Sequence, residues 1–353
     1  MSGVSRATTL PRLYLGTMTF AWNQSSSPIT AGVGTEMIKL AKAAGVSHID
    51  SARIYAGGST EPMVGECLKA CGALQDDTMK VTTKAHPSQP MGLSATGLEA
   101  QLKDSLTAMG LDRVDEFYLH QPDTENDLAE TLAAAHELVQ RGLVGRLGMS
   151  NYHESEVERA VQLCAENGWT APSVYQGLYN PLNRRCEAGL LPLLKRHNID
   201  FIAYNSLAAG LLTGKHRAGS DVQAGRFKNN PNYLPRFYTD RNFEAVELIR
   251  ASLPEGMDLI TATYQWLLRH SSLESNDGIL LGASSITQLQ GNLRACKAAE
   301  SADDLPEATL QAFDEAWRLC EEGAFPYWRS YSKDHPNREN LDQGASYQAN
   351  KVK

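Results

Sequence analysis

Four residues in the first part of the chain, Asp50, Tyr55, Lys84 and His120, are of the types needed to hand a proton to a carbonyl oxygen. A free tyrosine has a pKa of about 10, too high for ready donation near neutrality. A lysine ammonium beside the phenol oxygen favours the phenolate and lowers that pKa. In such a set Asp50 keeps Lys84 charged and fixed, while His120 donates a hydrogen bond to the substrate oxygen. None of the four can supply a hydride, so the chemistry calls for a cofactor. Taken singly, each has a plain explanation as a capped turn, a surface lysine or a core histidine. The case for chemistry rests on the elements that would bring them together.

Residues 47–50 read as a short buried strand leaving a helix that Gly45 ends, with Asp50 last in the strand and Tyr55 in the following loop. Residues 79–84 form a β-branched-rich strand ending on Lys84, and residues 114–120 a strand ending on His120. Helical periodicity fills the gaps. Thr35 caps a first helix with Met37, Leu40, Ala41 and Ala44 on one face. Ser59 or Thr60 caps a second, with Pro62 in its first turn. Leu98, Leu102 and Leu106 mark a helix over 93–109, and Leu128, Leu132, Ala135 and Leu138 one over 127–141. The alternation continues with strand 146–150, helix 154–167, strand 173–176, helix 187–197 and strand 200–204. A long loop over 205–241, dense in Gly, Asn, Pro and Arg, then breaks the rhythm; such loops usually work on a ligand. Helices near 243–252 and 259–270, strand 278–281, and helices over 287–298 and 306–321 complete the pattern.

With the strand at 13–16 this makes eight strands, each followed by helix. The expected fold is α/β, a (β/α)8 TIM barrel in a single domain over 1–329. It has a long loop after strand seven and extra helices towards its C-terminus. Residues 330–353 are polar and aperiodic and read as a tail. In such barrels functional side chains sit at the C-terminal strand ends, which is where Asp50, Lys84 and His120 fall.

Composition narrows the class. A 353-residue chain with 42% hydrophobic and 21% charged residues can build a sizeable core. A formal charge of −8 argues against nucleic-acid or anionic-membrane binding. No run of apolar residues is long enough for a membrane span, and the N-terminus lacks a signal-peptide core. Six cysteines in a chain of this length fit a reducing, cytoplasmic setting. Cys67 and Cys71 read as core thiols. No metal-binding spacing occurs, and no Gly-x-Gly-x-x-Gly follows a strand.

Further motifs make the sequence resemble the aldo-keto reductase superfamily: His120-Gln121-Pro122-Asp123, Gly148-Met149-Ser150-Asn151-Tyr152 and Val174-Tyr175-Gln176-Gly177. It looks most like the branch of aflatoxin-aldehyde and succinic semialdehyde reductases. The signs are Tyr204-Asn205-Ser206-Leu207, Gly210-Leu211-Leu212-Thr213-Gly214-Lys215, Gly225-Arg226-Phe227, Gly282-Ala283-Ser284-Ser285 and residues 325–329. The resemblance implies that Asp50, Tyr55, Lys84 and His120 are the catalytic tetrad. It implies that Ser150, Asn151 and Gln176 hold a nicotinamide carboxamide and that Tyr204 stacks on its ring. Asn205, Ser206, Leu207, Gly210, Leu211, Gly214 and Lys215 would strap the pyrophosphate, and Ser284, Gln288 and Asn292 would meet the adenosine end. NADPH is the implied cofactor. Many branches place basic residues near this last helix, where Ala283 and Gln288 are neutral here, and Arg226 would supply the charge. Tyr233, Arg236 and Arg329 are implied for the substrate, and paired arginines suit a carboxylate. Phe20, Trp22 and Trp328 would form apolar walls. A homodimer is also implied.

The expected activity is therefore NADPH-dependent reduction of an aldehyde, including dialdehydes and carboxylate-bearing semialdehydes. Two other readings share the tetrad: a cofactor-sensing subunit of the channel-associated kind, and a ketone reductase of a secondary-metabolite pathway.

Overall fold

The apolar strand segments close on themselves in the computed structural model, which describes residues 10–23, 27–73, 79–219, 227–228, 230–336 and 338–345. The strands are β1 (Arg12–Gly16), β2 (His48–Asp50), β3 (Lys80–Ala85), β4 (Val114–Leu119), β5 (Val144–Ser150), β6 (Val174–Leu178), β7 (Asp200–Tyr204) and β8 (Gly278–Gly282). Each pairs in parallel with the next and β8 returns to β1, giving the eight-stranded (β/α) barrel expected from the alternation. Around it lie α1 (Ala31–Ala43), α2 (Thr60–Ala70), α3 (Ala95–Met109), α4 (Leu128–Gln140), α5 (Glu154–Asn167) and α6 (Leu190–Arg196). Between β7 and β8 come α7 (Leu234–Phe237), α8 (Asp240–Ala251) and α9 (Leu259–Arg269), and after β8 come α10 (Ile286–Ser301) and α11 (Glu307–Glu321).

Register sets the chemistry at the barrel mouth. Asp50 pairs with Thr82 across β2 and β3. Lys84 lies two residues beyond Thr82 on the same face of its strand, so it extends over Asp50. Deeper in the barrel Tyr14, Tyr118, Val174 and Ile202 pack together, and the hydroxyls of Tyr14 and Tyr118 donate to the buried carboxylate of Glu116.

Several boundaries differ from the sequence reading. The first helix begins at Ala31, capped by Thr30, whose side chain accepts from the Val33 N–H; Thr35 lies inside it and bonds back to the Ala31 carbonyl. The helix expected over 187–197 is divided into a 3₁₀ turn, Arg185–Glu187, and the shorter α6. The C-terminal stretch is aperiodic, but its described part lies against the barrel. Ser332 donates its backbone N–H and hydroxyl to Glu156, and Asp334 accepts from the Leu128 N–H and pairs with Arg159. Tyr331 and Ser332 are buried. Cys67 is buried in the core and Cys71 partly exposed. No helix among the described residues is long and apolar enough to cross a membrane.

Candidate active site

A cavity of about 660 Å³ opens at the C-terminal ends of the strands. Tyr55 and His120 line it, while Asp50 and Lys84 lie sealed beneath. Tyr55, five residues beyond Asp50, starts a short turn in which Ala56 and Gly57 take left-handed φ of 47° and 64°. This tight reversal holds the phenol over the end of its own strand. Lys84 Nζ donates to both carboxylate oxygens of Asp50 at 2.7 Å, to the Ser51 carbonyl at 2.7 Å and to the Tyr55 hydroxyl at 3.4 Å. Asp50 Oδ1 also accepts from Thr82 at 3.0 Å and from the Gln176 amide at 2.8 Å. Burial pushes the Lys84 ammonium below its ordinary pKa, and the adjoining Asp50 carboxylate opposes that shift. The His120 ring meets Tyr55 edge-on at 5.8 Å, and burial holds it neutral, far below the usual imidazole range.

The far walls come from the other strand ends. Asn151, with φ 63°, donates to the His120 carbonyl and to Ser150 Oγ, and its own carbonyl oxygen accepts from the Tyr204 hydroxyl at 2.8 Å. One asparagine thus ties the ends of β4, β5 and β7 together. Asn205, Ser206, Leu207, Gly210 and Lys215 line the cavity along the segment after β7. That segment contains a 3₁₀ stretch, Ala208–Thr213, in which Gly210 has a φ of 111° that a side-chain-bearing residue rarely adopts. Leu211 is buried beneath the segment, and neither it nor Gly214 lines the cavity. Ser284, Gln288 and Asn292 line the opposite end. The helix there, expected over 287–298, starts one residue earlier, at Ile286: Ser285 is the N-cap of α10, and the Gln288 side chain accepts from the Ser284 N–H and hydroxyl. Arg226 lies outside the described residues.

The substrate expectations divide. Trp22, Tyr233 and Arg329 line the cavity. Phe20 does not. It is buried so tightly against α1 that a Cβ on Gly34 would come within 2.9 Å of its ring. Trp328 packs edge-on against His153 and donates to the Asp342 carbonyl, away from the cavity. Arg236 also points elsewhere: its guanidinium stacks 5.2 Å from the Phe325 ring, beside a separate small cleft. Of the expected arginine pair, Arg329 faces the cavity and Arg236 does not. Its backbone N–H donates to the Asn151 carbonyl. His86 and Gln121 also line the cavity and were not singled out from the sequence, although each directly follows a strand end or His120.

Charge on the lining is one-sided. Lys215 and Arg329 face the cavity and no aspartate or glutamate does, among the described residues, in a chain of formal charge −8. A long cleft with cations at its wall and amide and hydroxyl groups between them suits an elongated anionic ligand. Gly282 and Gly291 add open space, since a Cβ on either would meet nothing within 4 Å.

The sequence profile described as "Aldo/keto reductase family" matches residues 12–312. The chain belongs to this family. It is 36% identical over 332 residues to the mouse protein named aflatoxin B1 aldehyde reductase member 2, covering 90% of this chain and 88% of that one. The human aldo-keto reductase family 7 member A3 is 35% identical, with 90% of this chain and 97% of the relative covered. The fungal protein named oxidoreductase sirO, from Leptosphaeria maculans, is 30% identical over 90% of this chain and 97% of its own length. As an aldo-keto reductase the chain is an oxidoreductase acting on carbonyl groups. Family members generally take their hydride from a nicotinamide dinucleotide, and the cavity's cationic lining and amide-bearing wall fit such a group.

Proposed function

We propose that the chain is an NADPH-dependent aldehyde reductase in which Tyr55 is the general acid. The observation that carries this reading is the Lys84 ammonium, held by Asp50 and Ser51 with its remaining reach directed at the Tyr55 oxygen. A cation at that distance favours the phenolate as the proton leaves. His120, neutral and beside Tyr55, donates to the carbonyl oxygen and fixes its position. A nicotinamide dinucleotide held in the cavity would supply the hydride that the carbonyl carbon receives.

The remaining cavity residues would bind and orient. Gln176, fixed through its amide to Asp50, keeps its carbonyl for a carboxamide, and Ser150 is its register partner across β5 and β6. Tyr204 offers a ring whose hydroxyl is anchored on Asn151. Lys215 stands on the segment that would cross the pyrophosphate. Gln288 presently caps Ser284, and adenosine binding at that end would use the same groups. Arg329 suits a substrate carboxylate, which guanidinium binds through paired hydrogen bonds. The aldehyde reductase names among the relatives support an aldehyde as the reacting group.

Loss of NADPH absorbance over a panel of small aldehydes, semialdehydes and ketones tests the proposal. Turnover of aldehydes, with lower KM for those bearing a carboxylate, is the expected result. Tight NADPH binding with no oxidation by any carbonyl would overturn it in favour of a cofactor-sensing role.

A further inference from the structure

Among the described residues, the hydrogen bonds of the Lys84 ammonium run to Asp50, Ser51 and Tyr55, all on β2 and the segment after it. On the β4 side it meets a second phenol ring. Tyr118 is the direct register partner of Lys84 across β3 and β4, so the two side chains leave the sheet on the same face. Both are fully buried, and Lys84 Nζ lies 5.7 Å from the centroid of the Tyr118 ring. That is within the roughly 6 Å over which a cation feels a ring face. The Tyr55 ring lies 5.1 Å from the same ammonium.

The Tyr118 ring is fixed by its neighbours. Its register partner on β5 is Gly148, where a Cβ would come within 2.4 Å of the ring. The glycine leaves the space that the ring fills. The Tyr118 hydroxyl donates to Glu116 Oε2 at 2.6 Å. Glu116 lies two residues earlier on the same strand and also accepts from the Tyr14 hydroxyl at 3.2 Å and Arg146 Nη1 at 3.3 Å. Burial beside this carboxylate pushes the Tyr118 phenol well above its ordinary pKa, so it remains a donor. A phenol that donates to a carboxylate gains electron density on its ring, and a richer ring face holds a cation more strongly.

We propose that Tyr118 is a positioning residue for the proton transfer: its ring, anchored on Glu116, holds the Lys84 ammonium against Tyr55. The inference rests on the reading of Tyr55 as the acid. It adds to the tetrad a residue that does not line the cavity and acts through Lys84. Burial disfavours a charged Lys84; the Asp50 carboxylate opposes that from one strand and the Tyr118 ring from the next.

The test compares Tyr118→Phe with mono-, di- and trifluorophenylalanine at the same position. Two readouts are taken: single-turnover oxidation of bound NADPH by saturating aldehyde, and urea unfolding. All four rings lack the hydroxyl, and fluorine withdraws electron density while changing ring size little, so differences among them report the ring face. The single-turnover rate should fall stepwise with fluorine number, by about three- to tenfold across the series. The urea midpoint should fall by about 0.5 M. The same series in protein carrying Asp50→Asn and Lys84→Met, which removes both buried charges and leaves neither uncompensated, should show a level midpoint. A midpoint level in both backgrounds, or falling equally in both, would reduce Tyr118 to packing and overturn the proposal. A rate that stays level along the series while Lys84 is present would overturn it as well. A midpoint that falls only with Lys84 present, in a protein that reduces no carbonyl, would sink the reductase reading and sustain the hold of Tyr118 on Lys84.

Discussion

Lys84 Nζ lies 2.7 Å from each carboxylate oxygen of Asp50, and both side chains are sealed from solvent. Removing one member of a buried pair leaves the other charge uncompensated, at a cost of about 3–5 kcal/mol. Asp50→Asn should therefore lower the urea midpoint of unfolding substantially as well as reduce activity. A midpoint equal to that of wild type would show that Lys84 is not held by this charge.

Acid should destabilise the fold through its buried histidines. Burial lowers His86 from 6.5 to about 4 and His48 from 6.5 to about 3. Between those values and 6.5 the unfolded chain binds protons that the folded chain refuses. Stability thus falls as pH drops from about 6.5 towards 4, by up to about 1.4 kcal/mol per pH unit for each fully titrating ring. His86→Phe should flatten the slope of unfolding free energy against pH over this window. An identical slope would mean that His86 titrates normally in the folded protein.

The helical layer makes a prediction of its own. A Cβ on Gly65 of α2 would come within 2.7 Å of the Ala108 carbonyl and the Met109 backbone of α3. Backbone cannot yield as a side-chain tip can. Gly65→Ala should cost about 1–3 kcal/mol in thermal or urea unfolding and leave KM for aldehydes alone. A variant as stable as wild type would show that α2 and α3 can separate freely.

Much of this arrangement was legible in the chain. Asp50 was read as the last residue of its strand, while Lys84 and His120, expected last in theirs, lie one residue before the end of β3 and one after the end of β4; the barrel rule gathered all three. What escaped depended on partners remote in sequence. The Ala31-Gly32-Val33-Gly34 run has poor helix propensity, yet α1 includes it because Gly34 lies against Phe20 and Cys67. That same contact removes Phe20 from the cavity. Arg236 was unreadable because Phe325, far along the chain, captures it. Residues 330–336 looked like a solvated tail because their partners, Glu156, Arg159 and the N-terminus of α4, lie well over a hundred residues away.

Those C-terminal contacts hold the segment that begins at Arg329. Asp334→Ala removes the acceptor of the Leu128 N–H and the Arg159 ion pair, a loss of about 1–2 kcal/mol. Hydrogen exchange over 329–335 should quicken, and KM for carboxylate-bearing aldehydes should rise more than KM for apolar ones. Unchanged exchange would show that Ser332 and Glu156 alone secure the segment.

The central claim is that Tyr55 delivers the proton. Tyr55→Phe, preloaded with NADPH and mixed with saturating aldehyde in a stopped-flow instrument, tests it within a single turnover. The expected result is a reduction rate lower by about 10²–10⁴, with the NADPH Kd within about twofold of wild type. A rate close to that of wild type would contradict the account.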